Sequence, residues 1–287
     1  MIRCSYGEPP LEKDFAEIVV AATDLDRGFE FTSNGQTLSS KNRAKLLGKT
    51  ARVHVSLDSA SAEGYRRYRD HRFDLIVSNL RELCRERAAT GNLPEVFVSF
   101  IVMRSNMHEA GDFLRLMKEV GVDRVTFRDL YRDPEIRGVQ TLHYGYQFDY
   151  DTECLTASEL AEIGPKWLAI GREIGLAVGL EWSDFSRNVA ASAPGEPLCS
   201  EPWQTAYILA RGIMPCCYGR EPIVKWSEID QPDLEAGIGA ALNSAAFQEL
   251  RRDLAADKLG HYCKSAHSCP IVKAKTAADT QRLPQAL

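Results

Sequence analysis

The chain has 287 residues, with 35 Lys+Arg against 40 Asp+Glu and a formal net charge of −5. That balance leaves no basic stripe of the kind that tracks a nucleic-acid backbone, and no apolar run approaches the roughly 20 residues that span a bilayer. With 44% hydrophobic residues and no basic-then-apolar leader after Met1, the composition predicts a cytoplasmic protein of one large domain with a small appendage, and neither a nucleic acid nor a membrane as partner.

Helical and strand periods alternate over residues 10–130. Leu11 to Ala22 reads as a helix with Phe15, Ile18, Val19 and Ala22 on one face. Phe29 to Phe31 is a short strand ending at Ser33-Asn34-Gly35, Asn42 to Leu47 a short helix, and Arg52 to Asp58 a strand. Phe73 to Arg87 is an amphipathic helix in which Leu75, Ile76, Leu80 and Leu83 recur at helical spacing. Val96 to Met103 is a near-continuous apolar strand, the pattern of a strand covered on both faces. A helix from His108 to Val120 and a strand from Arg124 to Phe127 follow. Strand, helix and strand in succession imply parallel pairing through right-handed crossovers, hence an α/β sheet or barrel. After Leu130 comes a Tyr/Asp-rich stretch, 131–154, then a helix (Ser158 to Ile174), a strand (Leu176 to Leu180) and a turn-rich segment from Ala190 to Pro197. A domain boundary is expected there, giving a first domain over 1–190 and a second over 191–287.

In a parallel α/β fold, ligands sit at the carboxyl ends of the strands. Gly7-Glu8-Pro9-Pro10 precedes the first helix, and the next strands end in Thr32-Ser33-Asn34-Gly35, Ser56-Leu57-Asp58-Ser59 and Arg104-Ser105-Asn106. Each alone has a plain reading as a turn or a helix cap. Their order at successive strand ends points to a ligand site.

Five of the eight cysteines lie after residue 198: Cys199, Cys216, Cys217, Cys263 and Cys269. Each stands beside a turn former or a polar neighbour rather than in an apolar stripe. Disulfides suit small oxidised domains, and this chain is neither small nor marked for export. Structural zinc prefers close cysteine pairs, whereas Cys199 and Cys217 are far apart and Cys263 and Cys269 are separated by five residues. A four-thiolate iron–sulfur cluster is a larger object and tolerates such spacings. The residues favour a cluster and leave zinc open.

Taken together, these residues resemble the radical S-adenosylmethionine (SAM) enzymes of the SPASM/Twitch type, over nearly the whole chain. The resemblance implies a (β/α) barrel, here partial and lacking its first strand, joined to a cysteine-rich iron–sulfur module. It implies that Gly7, Glu8 and Pro9 hold the amino group of SAM, with Ser33, Asn34 and Gly35 forming the next loop. Ser56 and Asp58 fall near its ribose or methionine part, with Ser105 and Asn106 at the polar end of the following strand. The tail matches the module's opening pattern as Cys199, twelve residues, Gly212, four residues, Cys217. That makes Cys217 the expected ligand rather than Cys216, with Cys263 and Cys269 closing an auxiliary [4Fe-4S] set. Residues 206–214 are expected as a hairpin turning at Arg211-Gly212, and Leu242 to Arg251 resembles the helix leading to the closing cysteines.

One departure matters most. The family's C-x3-C-x2-C loop, whose cluster cleaves SAM to methionine and a 5′-deoxyadenosyl radical, is absent from the sequence. The expectation is therefore a truncated or inactive form of an enzyme that modifies a peptide or small polar substrate, with an electron donor such as flavodoxin or ferredoxin. The alternative is a non-catalytic scaffold holding zinc or a cluster. Tyr131, His143, Tyr144, Tyr146 and Asp149 are candidate substrate-facing groups or a self-packed surface loop. His54 reads as a core histidine, His261 and His267 as substitutes for a thiolate, and Trp167, Trp182 and Trp203 as packing residues.

Overall fold

The computed structural model describes residues 2–4, 7–24, 28–130, 138–142, 145–182, 196–209, 211–217, 219, 221–229, 234–264, 266, 269, 271–272 and 275–276. The chain divides into two compact units, Met1–Ser183 and Asp184–Leu287, and each has its own apolar core.

The strands of the first unit are β1 (Ile2–Cys4), β2 (Phe29–Ser33), β3 (Ala51–Ser56), β4 (Glu95–Val102), β5 (Arg124–Asp129), β6 (Val139–Thr141), β7 (Gln147–Asp149) and β8 (Ala177–Glu181). Six of them form one sheet in the order β1-β2-β3-β4-β5-β8. Every adjacent pair is parallel, which brings all the carboxyl ends to one rim. β6 and β7 make a separate antiparallel hairpin. The intervening helices are α1 (Phe15–Asp24), α2 (Ser40–Ala44), α3 (Ala62–Tyr68), α4 (Phe73–Arg87), α5 (Ala110–Val120), α6 (Tyr150–Glu153) and α7 (Ala157–Ile174). This is the expected α/β architecture, an open parallel sheet.

Strand alternation sorts the sheet's two faces. Phe29, Phe31, Val53, Val55, Val96, Val98, Phe100, Val125 and Phe127 are buried on one of them. There Phe100 meets Phe113 of α5 at 4.8 Å between ring centroids, and Phe127 meets Trp167 of α7 at 4.5 Å. Each buried aromatic contributes about 1.5–3 kcal/mol relative to exposure. The opposite face carries Glu30, Thr32, Arg52, His54, Ser56, Phe97, Ser99 and Thr126, in register across β2 to β5. β4 was expected to be covered on both faces. Instead its residues alternate between buried and half-buried, because Glu95, Phe97, Ser99 and Ile101 look onto this polar face.

Helix α4 has the predicted bounds, yet Leu75 is exposed beside buried Ile76, Leu80 and Leu83. Helix α1 begins later than its periodicity suggests. Pro9 and Pro10 set up a separate 3-10 turn, closed by Glu12 N–H donating to Pro9 O at 3.0 Å. Phe15 and Val19 are buried and Ile18 is exposed. At the opposite rim, the buried Arg87 guanidinium donates to Pro94 O (2.8 Å) and Gly121 O (2.9 Å) and pairs with Asp123. Asp123 in turn accepts from Val96 N–H at 2.7 Å. Burying this charge is tolerable because its donors are met, and the latch fixes where β4 starts.

In the second unit β9 (Tyr207–Leu209), β10 (Gly212–Met214) and β11 (Val224–Lys225) form an antiparallel sheet with β10 central. Gly212 pairs with Leu209, so it already belongs to β10 rather than to the turn where it was expected. Gly212 has φ +149°, and a Cβ there would meet Val224 O at 2.2 Å. The third strand, β11, demands that close approach. Helices α8 (Glu201–Gln204), α9 (Leu234–Leu242), α10 (Ala245–Ala255) and α11 (His261–Lys264) complete the unit. Arg251 of α10 donates to Pro202 O (2.8 and 3.0 Å) and to Leu242 O (2.8 Å), tying α8 and the end of α9 to α10. Trp167 is buried, but Trp203, expected as a packing residue, is 46% exposed. Among the described residues no helix is long and apolar enough to cross a membrane.

Candidate functional site

The carboxyl ends of β1 and β2 converge on Glu8. Its Oε1 accepts from Ser33 Oγ and from Thr37 Oγ1, both at 2.5 Å, and its Oε2 accepts from Asn34 N–H at 2.8 Å. Ser33 Oγ also accepts from Gly35 N–H at 2.9 Å, and Asn34 Oδ1 from Gln36 N–H at 2.8 Å. The carboxylate is thus aimed by three neutral donors. Among the described residues no Lys or Arg is within ion-pair distance of it. A carboxylate offers about four acceptor positions, so Oε2 keeps capacity for a cation.

Local structure makes this loop stiff. Gly35 has φ +77°, and a Cβ there would meet Ile76 Cγ2 at 2.7 Å and Val55 Cγ1 at 2.9 Å. Asn79 Nδ2 donates to Gly35 O at 3.0 Å, anchoring the loop to α4. Asn42 Nδ2 bridges Pro10 O (3.1 Å) and Thr37 O (2.8 Å), joining the β1 loop to the β2 loop. Thr37 escaped sequence reasoning. The signal was its place four residues after Ser33 in the same loop.

Two sequence-predicted residues at the next strand ends face inward. Asp58 Oδ1 accepts from Ile101 N–H at 2.9 Å, and Oδ2 accepts from Arg69 Nη2 at 2.6 Å and Nε at 3.0 Å. Asn106 Oδ1 accepts from Met103 N–H at 2.7 Å, while its Nδ2 donates to Asp58 O and Ile101 O, both at 3.0 Å. Both side chains are buried, and their work is to pin the ends of β3 and β4 together. Arg69, partly exposed beside Asp58, carries that pair's charge to the rim.

Ser56 lies on the polar face, 3.5 Å from Ser99 Oγ. Ser105 is held between two groups: its Oγ accepts from Tyr68 O–H at 2.5 Å and donates to Glu153 Oε2 at 2.6 Å. Burial pushes the Tyr68 phenol up to about 12, against the lowering effect of the Ser105 hydrogen bond. Tyr146, from the β6–β7 hairpin, stands edge-on to Tyr68 at 5.6 Å. Asp149 caps α6 by accepting from Asp151 N–H. Tyr131, His143 and Tyr144 lie outside the described residues. Deeper on the polar face, His54 Nε2 is 3.2 Å from Glu30 Oε1, off the hydrogen-bonding direction, and the ring stands edge-on to Phe97 at 5.3 Å.

In the second unit four thiols, Cys199, Cys216, Cys263 and Cys269, line one apolar cavity of about 20 Å³, walled by Leu250, Leu254 and Val272 among others. Burial pushes Cys263 up to about 12, with the Cys216, Cys269 and Cys199 thiols adding to the effect. Burial raises Cys199 as well. Cys217 is exposed and does not line the cavity. The described residues include all eight cysteines, and none is in a disulfide. Among the described residues no three Cys, His, Asp or Glu side chains stand close enough to hold a single metal ion. His261 is exposed, and His267 lies outside the described residues.

Residues 1–117 match the Radical SAM superfamily. The probable GTP 3',8-cyclase of Saccharolobus solfataricus is 27% identical over 134 residues, 45% of this chain and 41% of that protein. The mycofactocin maturase MftC of Mycolicibacterium smegmatis is 31% identical over 117 residues, 40% of this chain and 29% of that protein. Among solved structures, Streptococcus suis SuiB bound to S-adenosylmethionine superposes with a TM-score of 0.58 at 11% identity, covering 94% of this chain and 60% of SuiB. SuiB bound to its precursor peptide SuiA gives 0.55 at 14% identity, covering 94% and 59%. The matches span less than half the length of these curated relatives and about three fifths of SuiB. Residues 1–117, then, are where this chain is similar to the Radical SAM superfamily.

Proposed function

We propose that the protein is a radical SAM iron–sulfur protein of the SPASM/Twitch type, with SAM held at the β1–β2 rim and one auxiliary [4Fe-4S] cluster in the tail. The observation that carries this reading is Glu8. It is an anion fixed by three neutral donors at the rim where parallel α/β folds bind ligands, and it keeps an open acceptor position. That is the site an ammonium needs, and the amino group of SAM supplies one. Charge-assisted hydrogen bonds of this kind contribute about 1.5–3 kcal/mol. Ser33 and Thr37 would orient the carboxylate, and Asn34 N–H would keep it from swinging away.

Bound SAM, reduced by a cluster, supplies a radical that abstracts hydrogen from substrate. The 287 residues contain no C-x3-C-x2-C, so the thiolates for that step have to come from outside them. SuiB binds a precursor peptide and MftC is a maturase, which supports a peptide substrate here over a small polar one. A protein of this type would take electrons from a donor such as flavodoxin or ferredoxin.

The tail supports the cluster by its donor chemistry. Four thiols around an apolar cavity are the ligand set of a cubane cluster. The cavity is narrower than that object, so loading has to draw the thiolates apart. A second reading, a scaffold holding zinc or a cluster for structure alone, is favoured by the missing three-cysteine motif.

The test is SAM binding by calorimetry to the wild-type chain and to Glu8→Gln. Binding that weakens about 10-fold or more in the variant, with the melting temperature kept, supports the reading. Equal affinity in the two proteins would remove it.

A further inference from the structure

We infer that the fourth protein ligand of the tail site is Cys216, and that Cys217 is a bystander thiol. This rests on the auxiliary-cluster reading and reverses the ligand that the spacing from Gly212 selects.

The backbone decides between these adjacent residues. Strand β10 ends at Met214, so the alternation of a strand no longer governs residues 216 and 217. Pro215 follows, and Gly219 N–H donates to Cys216 O at 3.2 Å. That bond closes a four-residue turn in which Cys216 is the first residue and Cys217 the second. The turn, not strand alternation, therefore sets where each thiol points. At the second position the Cys217 thiol contacts that of Cys216 but is not among the groups lining the cavity. The surroundings agree: Cys216 is half-buried and lines the cavity, and Cys217 is exposed and does not.

The corner is built tightly. Pro215 packs against Gly219, where an added Cβ would lie 2.7 Å from the proline Cγ. The preceding strand is buried along its length between β9 and β11. Exchanging the two thiols would require turning the corner over against that packing.

Cys263 and Cys269 line the same cavity. Cys263 N–H donates to Gly260 O at 3.1 Å and Cys269 N–H to Ala266 O at 2.8 Å. Cys199 is placed by the α8 turn that Arg251 secures through Pro202 O. Three thiols are thus set by structure that does not involve residues 215–219, and all three share their cavity with Cys216. The contact between the Cys216 and Cys217 thiols makes Cys217 a near neighbour of the site without placing it inside.

The experiment uses the full 287-residue chain, reconstituted anaerobically with iron and sulfide, as wild type, Cys216→Ala and Cys217→Ala. Iron and sulfide are counted, and the charge-transfer absorbance near the visible region is recorded. Melting curves of the metal-free proteins confirm that both variants fold. Cys217→Ala should keep about four irons per chain and the wild-type spectrum, and Cys216→Ala should lose most of its iron. Iron loss in Cys217→Ala with retention in Cys216→Ala would overturn the assignment. Equal retention or equal loss in the two would overturn it too, since each denies that one thiol alone is used. A wild-type chain that binds no iron would instead remove the cluster reading beneath it.

Discussion

The Ser33 hydroxyl donates to Glu8 Oε1 at 2.5 Å, joining the carboxyl ends of two neighbouring parallel strands through a pair of side chains 25 positions apart. The carboxylate's position therefore depends on the β2 loop as much as on its own backbone. Ser33→Ala should weaken SAM binding several-fold without unfolding the chain, because Thr37 and Asn34 N–H still hold the carboxylate. Calorimetry checks this, and unchanged affinity would show that Ser33 does not orient Glu8.

Gly35→Ala should be severe. The substitution needs a positive φ and places a methyl 2.7 Å from Ile76 and 2.9 Å from Val55, a combination worth about 2–4 kcal/mol of lost stability. Urea unfolding measures it. A loss below about 0.5 kcal/mol, the range of surface substitutions, would mean that the loop yields easily.

Much of this arrangement was legible in the sequence. Apolar residues at helical spacing located α4, and β2 to β5 stood out as short apolar runs, although the run in β4 was expected to be covered on both faces and alternates instead. Gly35 marked a turn for the reason the structure gives, a backbone conformation that side chains resist, whereas Gly212 sits in β10 where β11 approaches closely. What stayed hidden were pairings between distant residues. The sequence offers Asp58 and Asn106 as ligand groups but not their partners, Arg69 and the Ile101 and Met103 amides. Nothing local to Val224–Lys225 announces the third strand of the tail sheet. The choice between Cys216 and Cys217 hinges on a turn that closes only once Pro215 and Gly219 pack together.

Alkaline titration offers a check on the rim's packing. Burial pushes the phenols of Tyr65 and Tyr68 up to about 12 from an ordinary value of 10.0. Folding favours their neutral forms, so their contribution to stability is complete below about pH 10 and is lost as pH rises through about 12. Tyrosinate absorbance should show phenols that ionise only in that window, together with loss of near-ultraviolet ellipticity. Ordinary ionisation of every tyrosine near pH 10 would contradict the buried placement.

The 287-residue chain should not cleave SAM. Its sequence contains no C-x3-C-x2-C, and under the proposed reading the four tail thiols would ligate a separate cluster. Anaerobic reconstitution followed by dithionite and SAM should give no 5′-deoxyadenosine above the protein-free control. Sustained turnover would show that another ligand set in this chain binds SAM through iron.

The central claim, a radical SAM-type protein whose tail carries an iron–sulfur cluster, is tested most directly by metal analysis of the anaerobically purified wild-type chain. The account predicts brown protein with about four irons and four sulfides per chain, ligated by thiolates. Colourless protein with one tightly held zinc and no sulfide would contradict it.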